Sequence, residues 1–375
     1  MKILLIGNQA STIILFRKKL IEKLVSRGVH VHTLTMDHDT PKFNQITELG
    51  AVPEQYHFSR SGMNPLSDLK NTVALSKKIK KINPDVVFCF FPKPVIFGTF
   101  ASKIAGIRNI YNLLEGLGFC YTAHLKKDSF KKRVLRAIQT YLYRMTLPYA
   151  KKVLFLNRDD YNDLIIQNKI SLSDSEVIGG IGVDLNDYAY NVPDTKTIHF
   201  GMVSRLLVEK GVREFVQAAK IVKARYPAVK FSIAGAIDDN PGGITREQLS
   251  IWKEDGDVEF LGQLSDVKNY LNELSVFVLP SYREGIPRST QEAMSIGRAI
   301  ITTDVPGCRE TIDHGINGLM VPPWNVEALA DAMISFIDNP QQIIAMGRES
   351  RRIAEEKFDE DDATDRLINI LLSRN

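Results

Sequence analysis

Val276-Phe277-Val278-Leu279-Pro280-Ser281-Tyr282-Arg283-Glu284-Gly285-Ile286-Pro287-Arg288-Ser289-Thr290-Gln291-Glu292 decides how the rest of the chain is read. The run Val276–Leu279 is short and apolar at every position, as a strand buried on both faces is. Ser281 to Gly285 supply a turn. Pro287 suits the first turn of the helix that follows, where its missing N–H costs nothing. A strand that passes through a short loop into a helix is half of a parallel crossover unit.

The same unit recurs on both sides. Upstream, strand candidates at His199–Val203, Val229–Ala234 and Val258–Phe260 alternate with helical periodicity at Val212–Arg225 and Val267–Leu274. Downstream come Arg288–Ile296, the strand Ala299–Thr302 and the helix Val326–Ile337. An earlier series holds Lys2–Ile6, Val29–Leu34, Val86–Phe90, Ile110–Leu114 and Val153–Leu156, with helices at Phe16–Val25 and Asp68–Ile82. Gly179–Lys196, with Gly179, Gly180, Gly182 and Pro193, reads as the linker. The expected fold class is α/β, with two doubly wound, Rossmann-like parallel sheets facing a cleft. Residues 1–185 are expected to form the first domain and residues 196–357 the second. Ligands of such sheets sit at the carboxyl ends of the strands.

A chain of 375 residues, 44% hydrophobic and 25% charged, has the length and composition of a two-domain globular protein. A net charge of +4 is too small to argue for nucleic acid. The three cysteines, Cys89, Cys120 and Cys308, are odd in number and far apart, which predicts reduced cytosolic thiols. Met1 to Gly7 is too short for the apolar region of a signal peptide and reads as a first strand. No stretch reaches the ~18 apolar residues of a spanning helix.

Two groups of residues meet at the carboxyl edge of the second sheet. Glu284 and Glu292 are carboxylates suited to accept hydrogen bonds from sugar or ribose hydroxyls. Glutamates at a helix start are also ordinary dipole partners. Arg205 and Lys210 follow the strand His199–Val203 and can clamp a diphosphate, beside a helix N-terminus that favours anions. Exposed basic loops are common too. Convergence on one sheet edge distinguishes this set from either commonplace.

The spacing of Glu284 and Glu292, the Arg205/Lys210 pair, Gly235 after a strand and Gly307 in Asp304-Val305-Pro306-Gly307 resemble the family 4 retaining glycosyltransferases of GT-B fold. The resemblance implies that Glu284 contacts the donor sugar, Glu292 binds ribose hydroxyls, and Arg205 and Lys210 bind the diphosphate. Gly235, Gly285, Ile286, Pro287 and Arg288 complete the donor set. It further implies that the final segment, residues 358–375, packs back on the first domain. Phe58-Ser59-Arg60, Met63-Asn64-Pro65 and Glu115-Gly116-Leu117-Gly118-Phe119 resemble bacterial enzymes that extend undecaprenyl-diphosphate-linked sugars, N-acetylgalactosaminyltransferases among them. The implied donor is UDP-GalNAc. The implied acceptor side comprises Asn8, Gln9, Ser11, Arg60, Asn64, Lys93, Gly116 and Gly118. Where many members carry a histidine, this chain has Glu115, which could orient the acceptor hydroxyl or take its proton. It could also be an ordinary loop carboxylate.

The chemistry then needs a stabilised leaving diphosphate, from Arg205 and Lys210, and a placed acceptor hydroxyl. The resemblance implies front-face attack, with the departing phosphate oxygen taking the proton. Two Asp-x-Asp matches, Asp37-His38-Asp39 and Asp255-Gly256-Asp257, are the only hints of a divalent ion, and basic residues already cover the diphosphate. The expectation is no essential cofactor or metal, with a UDP-sugar as co-substrate. Lys126, Lys127, Lys131, Lys132, Arg133, Arg136 and Arg144 interleave with Phe130, Val134, Leu135, Ile138, Tyr141 and Leu142 as a basic amphipathic helix. It is read either as a core-packed helix with a charged outer face or as a contact with an anionic membrane. The expected location is cytoplasmic, peripheral at the inner face of the plasma membrane. A UDP-N-acetylhexosamine epimerase of the same architecture, a transferase with another UDP-sugar and acceptor, and a non-catalytic nucleotide-sugar sensor are the alternatives. A dehydrogenase lacks its Gly-x-Gly-x-x-Gly fingerprint.

Overall fold

The computed structural model describes residues 1–58, 65–123, 125, 128–238 and 242–373. The chain divides into two compact units. Unit 1 comprises Met1–Cys120, Ser129–Ile181 and Asp361–Asn375; unit 2 comprises Tyr121–Asp128 and Gly182–Glu360. The changeovers thus fall at Ile181/Gly182 and Glu360/Asp361, a few residues from the sequence-drawn limits, and Tyr121–Asp128 groups with the second unit.

Unit 1 holds a seven-stranded sheet with the order β3-β2-β1-β4-β5-β6-β7. The strands are β1 (Lys2–Ile6), β2 (His30–Thr35), β3 (Val52–Gln55), β4 (Val86–Phe90), β5 (Ile110–Leu114), β6 (Lys152–Phe155) and β7 (Ser175–Val177). Every pairing is parallel. β4 and β5 are buried at all positions, as their unbroken apolar runs require. The helices between are α1 (Ala10–Ser26), α2 (Thr40–Glu48), α3 (Pro65–Ile82), α4 (Thr99–Ile104), α5 (Phe130–Thr146) and α6 (Arg158–Tyr161).

Unit 2 holds a six-stranded sheet with the order β10-β9-β8-β11-β12-β13. Its strands are β8 (His199–Val203), β9 (Lys230–Ala234), β10 (Glu259–Gly262), β11 (Val276–Leu279), β12 (Ala299–Thr303) and β13 (Gly318–Val321), again all parallel. Helices α7 (Val212–Arg225), α8 (Arg246–Asp255), α9 (Val267–Glu273), α10 (Arg288–Ile296), α11 (Val326–Asp338) and α12 (Pro340–Lys357) cover it. In both sheets the order reverses beside the first strand of its series, β1 or β8. That reversal is the switch point where a doubly wound fold opens a binding crevice.

The last helix, α13 (Glu360–Leu372), lies on α1 of unit 1. Lys23 Nζ contacts Asp361 at 2.8 Å and Asp365 at 2.8 Å, and Arg27 meets Asp365 at 2.8 Å. Leu367, Ile368 and Leu371 are buried beneath these exposed pairs. The apolar contacts hold the helix, since exposed ion pairs contribute little. Among the described residues no helix is long and apolar enough to cross a membrane. Ile368 is fully buried. We expect Ile368→Ala to destabilise unit 1 by about 2–5 kcal/mol in denaturant unfolding, whereas Asp365→Ala stays within about 1 kcal/mol of wild type. The reverse ranking would contradict this packing.

Candidate functional site

In unit 2 the predicted donor residues follow the carboxyl ends of three neighbouring strands. Arg205 and Lys210 follow β8, Gly235 follows β9, and Glu284 follows β11; β9 and β11 flank β8. Tyr282 N donates to Glu209 O at 2.8 Å and ties the β8 loop to the β11 loop. Lys210 Nζ then reaches Glu284 Oε1 at 2.5 Å, and Ser281 Oγ donates to the same oxygen at 2.7 Å. Among the described residues Glu284 Oε2 makes no hydrogen bond, so one face of the carboxylate is held and the other is open.

The loop after β12 braces this arrangement. Glu284 N donates to Pro306 O at 3.0 Å. Gly307 runs at φ +77°, and a Cβ there would stand 2.3 Å from the carbonyl oxygens of Glu284 and Gly285. Only glycine permits that approach. Gly235 N donates to Gly262 O at 2.7 Å, which links the β9 and β10 loops behind the site.

Pro287 is the N-cap of α10 and not a residue of its first turn; the first helical bond runs from Gln291 N to Pro287 O at 3.2 Å. The amides of Arg288, Ser289 and Thr290 therefore lack acceptors within the helix. Glu292 lies one turn in, 8% exposed, with Arg288 Nε 3.0 Å from its Oε1. Burial raises its pKa, against the opposing pull of Arg288 and the Tyr188 hydroxyl.

The cations and carboxylates that sequence reasoning gave separate tasks are thus paired with each other. Lys210 holds Glu284, and Arg288 holds Glu292. Arg205, more than half exposed, turns to Asp238 Oδ2 at 2.6 Å. Asp238 and Ser281 were missed. Both lie just past a strand end, a position that was legible. Tyr188 was also missed; it lies in the linker, where no local pattern marks it.

In unit 1, Asn8, Gln9 and Ser11 follow β1, Lys93 follows β4, and Glu115, Gly116 and Gly118 follow β5. These three strands are neighbours, so the candidates share one edge. Arg60 and Asn64 lie outside the described residues, as do Lys126 and Lys127. Glu115 is not a free loop carboxylate: its Oε1 is 2.6 Å from Arg17 Nη2. Burial lowers the pKa of half-buried Lys93. Asp37 Oδ1 accepts from Ala10 N at 2.9 Å, and Asp39 caps α2 through Lys42 N at 3.1 Å. That Asp-x-Asp is spent on helix ends. Among the described residues no group of His, Cys, Asp and Glu forms a metal-binding cluster.

On α5 the basic residues divide: Lys131, Arg133 and Arg144 are exposed, others are not. Lys132 is buried with its ammonium 5.1 Å from the Phe119 ring, and Arg136 is partly buried. The outward stripe is apolar: Phe130 is 80% exposed and Tyr141 57%, with Val134, Ile138 and Met145 between and beyond them. Lys131, Arg133 and Arg144 border it. Spacings of three and four put these apolar residues on one side of the helix.

This geometry generates two predictions. Gly307→Ala must displace backbone, so it should cost about 2 kcal/mol or more in unfolding free energy; a neutral substitution would contradict the close approach. Because the folded pKa of Glu292 is raised, the folded chain binds that proton more tightly than the unfolded chain. The associated stability is full below the unfolded glutamate pKa and is lost as pH rises through the raised value. Glu292→Gln should therefore equal or exceed wild type in Tm at about pH 7, with the difference moving against the variant towards about pH 4. An equal loss at both would contradict the desolvation account.

Comparison with known proteins agrees with this anatomy. The family model described as "Glycosyl transferase 4-like" matches residues 2–157, and "Glycosyl transferases group 1" matches residues 197–339. The N,N'-diacetylbacillosaminyl-diphospho-undecaprenol alpha-1,3-N-acetylgalactosaminyltransferase of Campylobacter jejuni is 28% identical over 99% of this chain and 98% of its own. The UDP-Gal:alpha-D-GlcNAc-diphosphoundecaprenol alpha-1,3-galactosyltransferase of Escherichia coli is 24% identical over 73% of this chain and 72% of its own. Anabaena HepE, solved with UDP and glucose, superposes with a TM-score of 0.77 at 18% identity over 100% of both chains. The two family models together span most of the chain, and the chain belongs to the family 4 glycosyltransferases of GT-B fold.

Proposed function

We propose that the protein is a retaining hexosaminyltransferase that moves N-acetylgalactosamine from UDP-GalNAc to an undecaprenyl-diphosphate-linked saccharide. The observation that carries this reading is the Lys210–Glu284 pair beside the N-terminus of α10. An ammonium has three N–H donors, and Glu284 takes one. The others remain for a diphosphate, alongside the first-turn amides of α10, which have no acceptor within the helix. Glu284 Oε2 offers its lone pairs to a hydroxyl of the donor sugar. Arg205 exchanges Asp238 for the diphosphate, a bidentate partner that suits its fork. Glu292 takes the ribose hydroxyls.

As the bond between the anomeric carbon and the phosphate oxygen breaks, the acceptor oxygen bonds to that carbon on the same face. Its proton passes to the departing phosphate oxygen. Lys210, Arg205 and the α10 amides stabilise the charge that develops there, in place of a divalent ion. The donor and acceptor classes rest on the names of the relatives. The outward apolar stripe of α5 with its cationic borders supports seating on the anionic inner face of the plasma membrane, where a lipid-linked acceptor resides.

A screen of UDP-sugars against undecaprenyl-diphosphate-linked acceptors, with the anomeric configuration of the product read by NMR, tests the reading. UDP-GalNAc should give an α-linked product, and the rate should persist in excess EDTA. An inverted anomer, or activity lost to EDTA and restored by Mg²⁺, would contradict it. Lys210→Ala should lower kcat/KM by about 10²–10³-fold. Phe130→Asp combined with Ile138→Asp should weaken binding to anionic vesicles by about tenfold or more, leaving turnover of a detergent-dispersed acceptor unchanged. Equal vesicle binding would refute the role of α5.

A further inference from the structure

The buried face of α1 reads Ala10, Ile13, Arg17, Leu20, Ile21 and Leu24. At this spacing an apolar side chain is expected at 17, and a guanidinium stands there, 2% exposed. It lies 4.4 Å over the Phe90 ring, with Phe88 at 5.8 Å. Phe90 in turn rests on Gly7, where a Cβ would come 2.6 Å from the ring. Gly7, Phe90 and Arg17 thus stack across the carboxyl ends of β1 and β4.

The stack aims the guanidinium at β5. Nη1 donates to Phe16 O at 2.7 Å, and Nη2 donates to Glu115 Oε1 at 2.6 Å. Arg17 therefore spans from α1, past β4, to the first residue after β5. Glu115 Oε2 is shielded from bulk water and has no hydrogen-bond partner among the described residues. Asn8 Oδ1, just beyond β1, is in the same condition. The Glu115 side chain keeps 9% of its area exposed, so the residue at this sheet edge is not wholly enclosed.

Two shielded oxygens without donors mark a place for a ligand that brings donors. Phosphate brings none; a sugar hydroxyl does. We propose that Glu115 Oε2 accepts a hydrogen bond from a hydroxyl of the acceptor sugar, and that Arg17 is the positioning residue that fixes the carboxylate for it. This rests on the transferase reading given above. Glu115 then acts as an aimed acceptor of a hydrogen bond, and Arg17 touches no substrate. Stacking on Phe90 holds the guanidinium in one plane, which a flexible ammonium cannot reproduce.

The test is a double-mutant cycle read in kcat, in KM for acceptor and donor separately, and in UDP affinity. Glu115→Gln and Arg17→Met should each lower kcat by about 30-fold or more. The double variant should be no slower than Glu115→Gln, because Arg17 acts only through Glu115. UDP affinity should stay within about twofold throughout, and Arg17→Lys, which preserves the charge, should recover part of the rate. Arg17→Lys also serves where Arg17→Met fails to fold. Glu115→Gln turning over within about threefold of wild type, multiplicative losses in the cycle, or UDP affinity falling in parallel would each overturn the proposal. A wild-type chain that binds UDP but transfers no sugar defeats the transferase reading itself, and this inference with it.

Discussion

Parallel strands buried on both faces leave a protein only its loop edges for chemistry. That constraint organises both units of this chain. β4, β5, β11 and β12 are closed to solvent at every position, so no side chain within them can meet a ligand. Loop residues just beyond a strand can reach one. Arg205, Asp238, Glu284, Asn8, Lys93 and Glu115 all lie within a few residues past a strand end. The strand-order reversal beside β1 and beside β8 determines which of these loops are neighbours.

Within that frame the electrostatics are self-contained. Lys210 and Glu284, both largely buried, neutralise each other, as do Arg17 and Glu115. Removing one member of a buried pair can cost up to about 3–5 kcal/mol, because a charge is left without partner or water. On the proposed function, each site is held in shape by the charges it later presents to substrate. Oε2 of Glu284 and the shielded Oε2 of Glu115, neither hydrogen-bonded among the described residues, are where each pair keeps unused hydrogen-bonding capacity. Glu292 shows the cost of the same design: its burial raises the energy of the charged form despite Arg288.

Much of the fold was legible because central strands announce themselves. Lys2–Ile6, Val86–Phe90, Ile110–Leu114, His199–Val203 and Val276–Leu279 are apolar runs of strand length, and the structure has strands at those residues. The strands that escaped notice, β3, β7 and β13, all lie at sheet edges. Val52-Pro53-Glu54-Gln55 and Ser175-Glu176-Val177 are half exposed and carry no apolar run, since an edge strand needs only one protected side. The members of the proposed donor site were visible as residue types after strands. Their pairing was not, because which cation meets which carboxylate is decided by loop paths between strands distant in sequence. Arg17 was the missed opportunity: a charge on the apolar stripe of an amphipathic helix is a signal that sequence alone provides. On α5 the sequence displayed the alternation of charge and apolar residues without saying which side faces inward.

The central claim is that this edge holds a nucleotide-sugar for transfer to a second molecule. It is tested most directly by the time course of UDP release from UDP-GalNAc, measured with and without an undecaprenyl-diphosphate-linked sugar. The account predicts steady UDP release only when the acceptor is present, in one-to-one proportion to the extended lipid. Interconversion of the donor sugar in the absence of acceptor, or UDP release that is indifferent to it, would contradict the account.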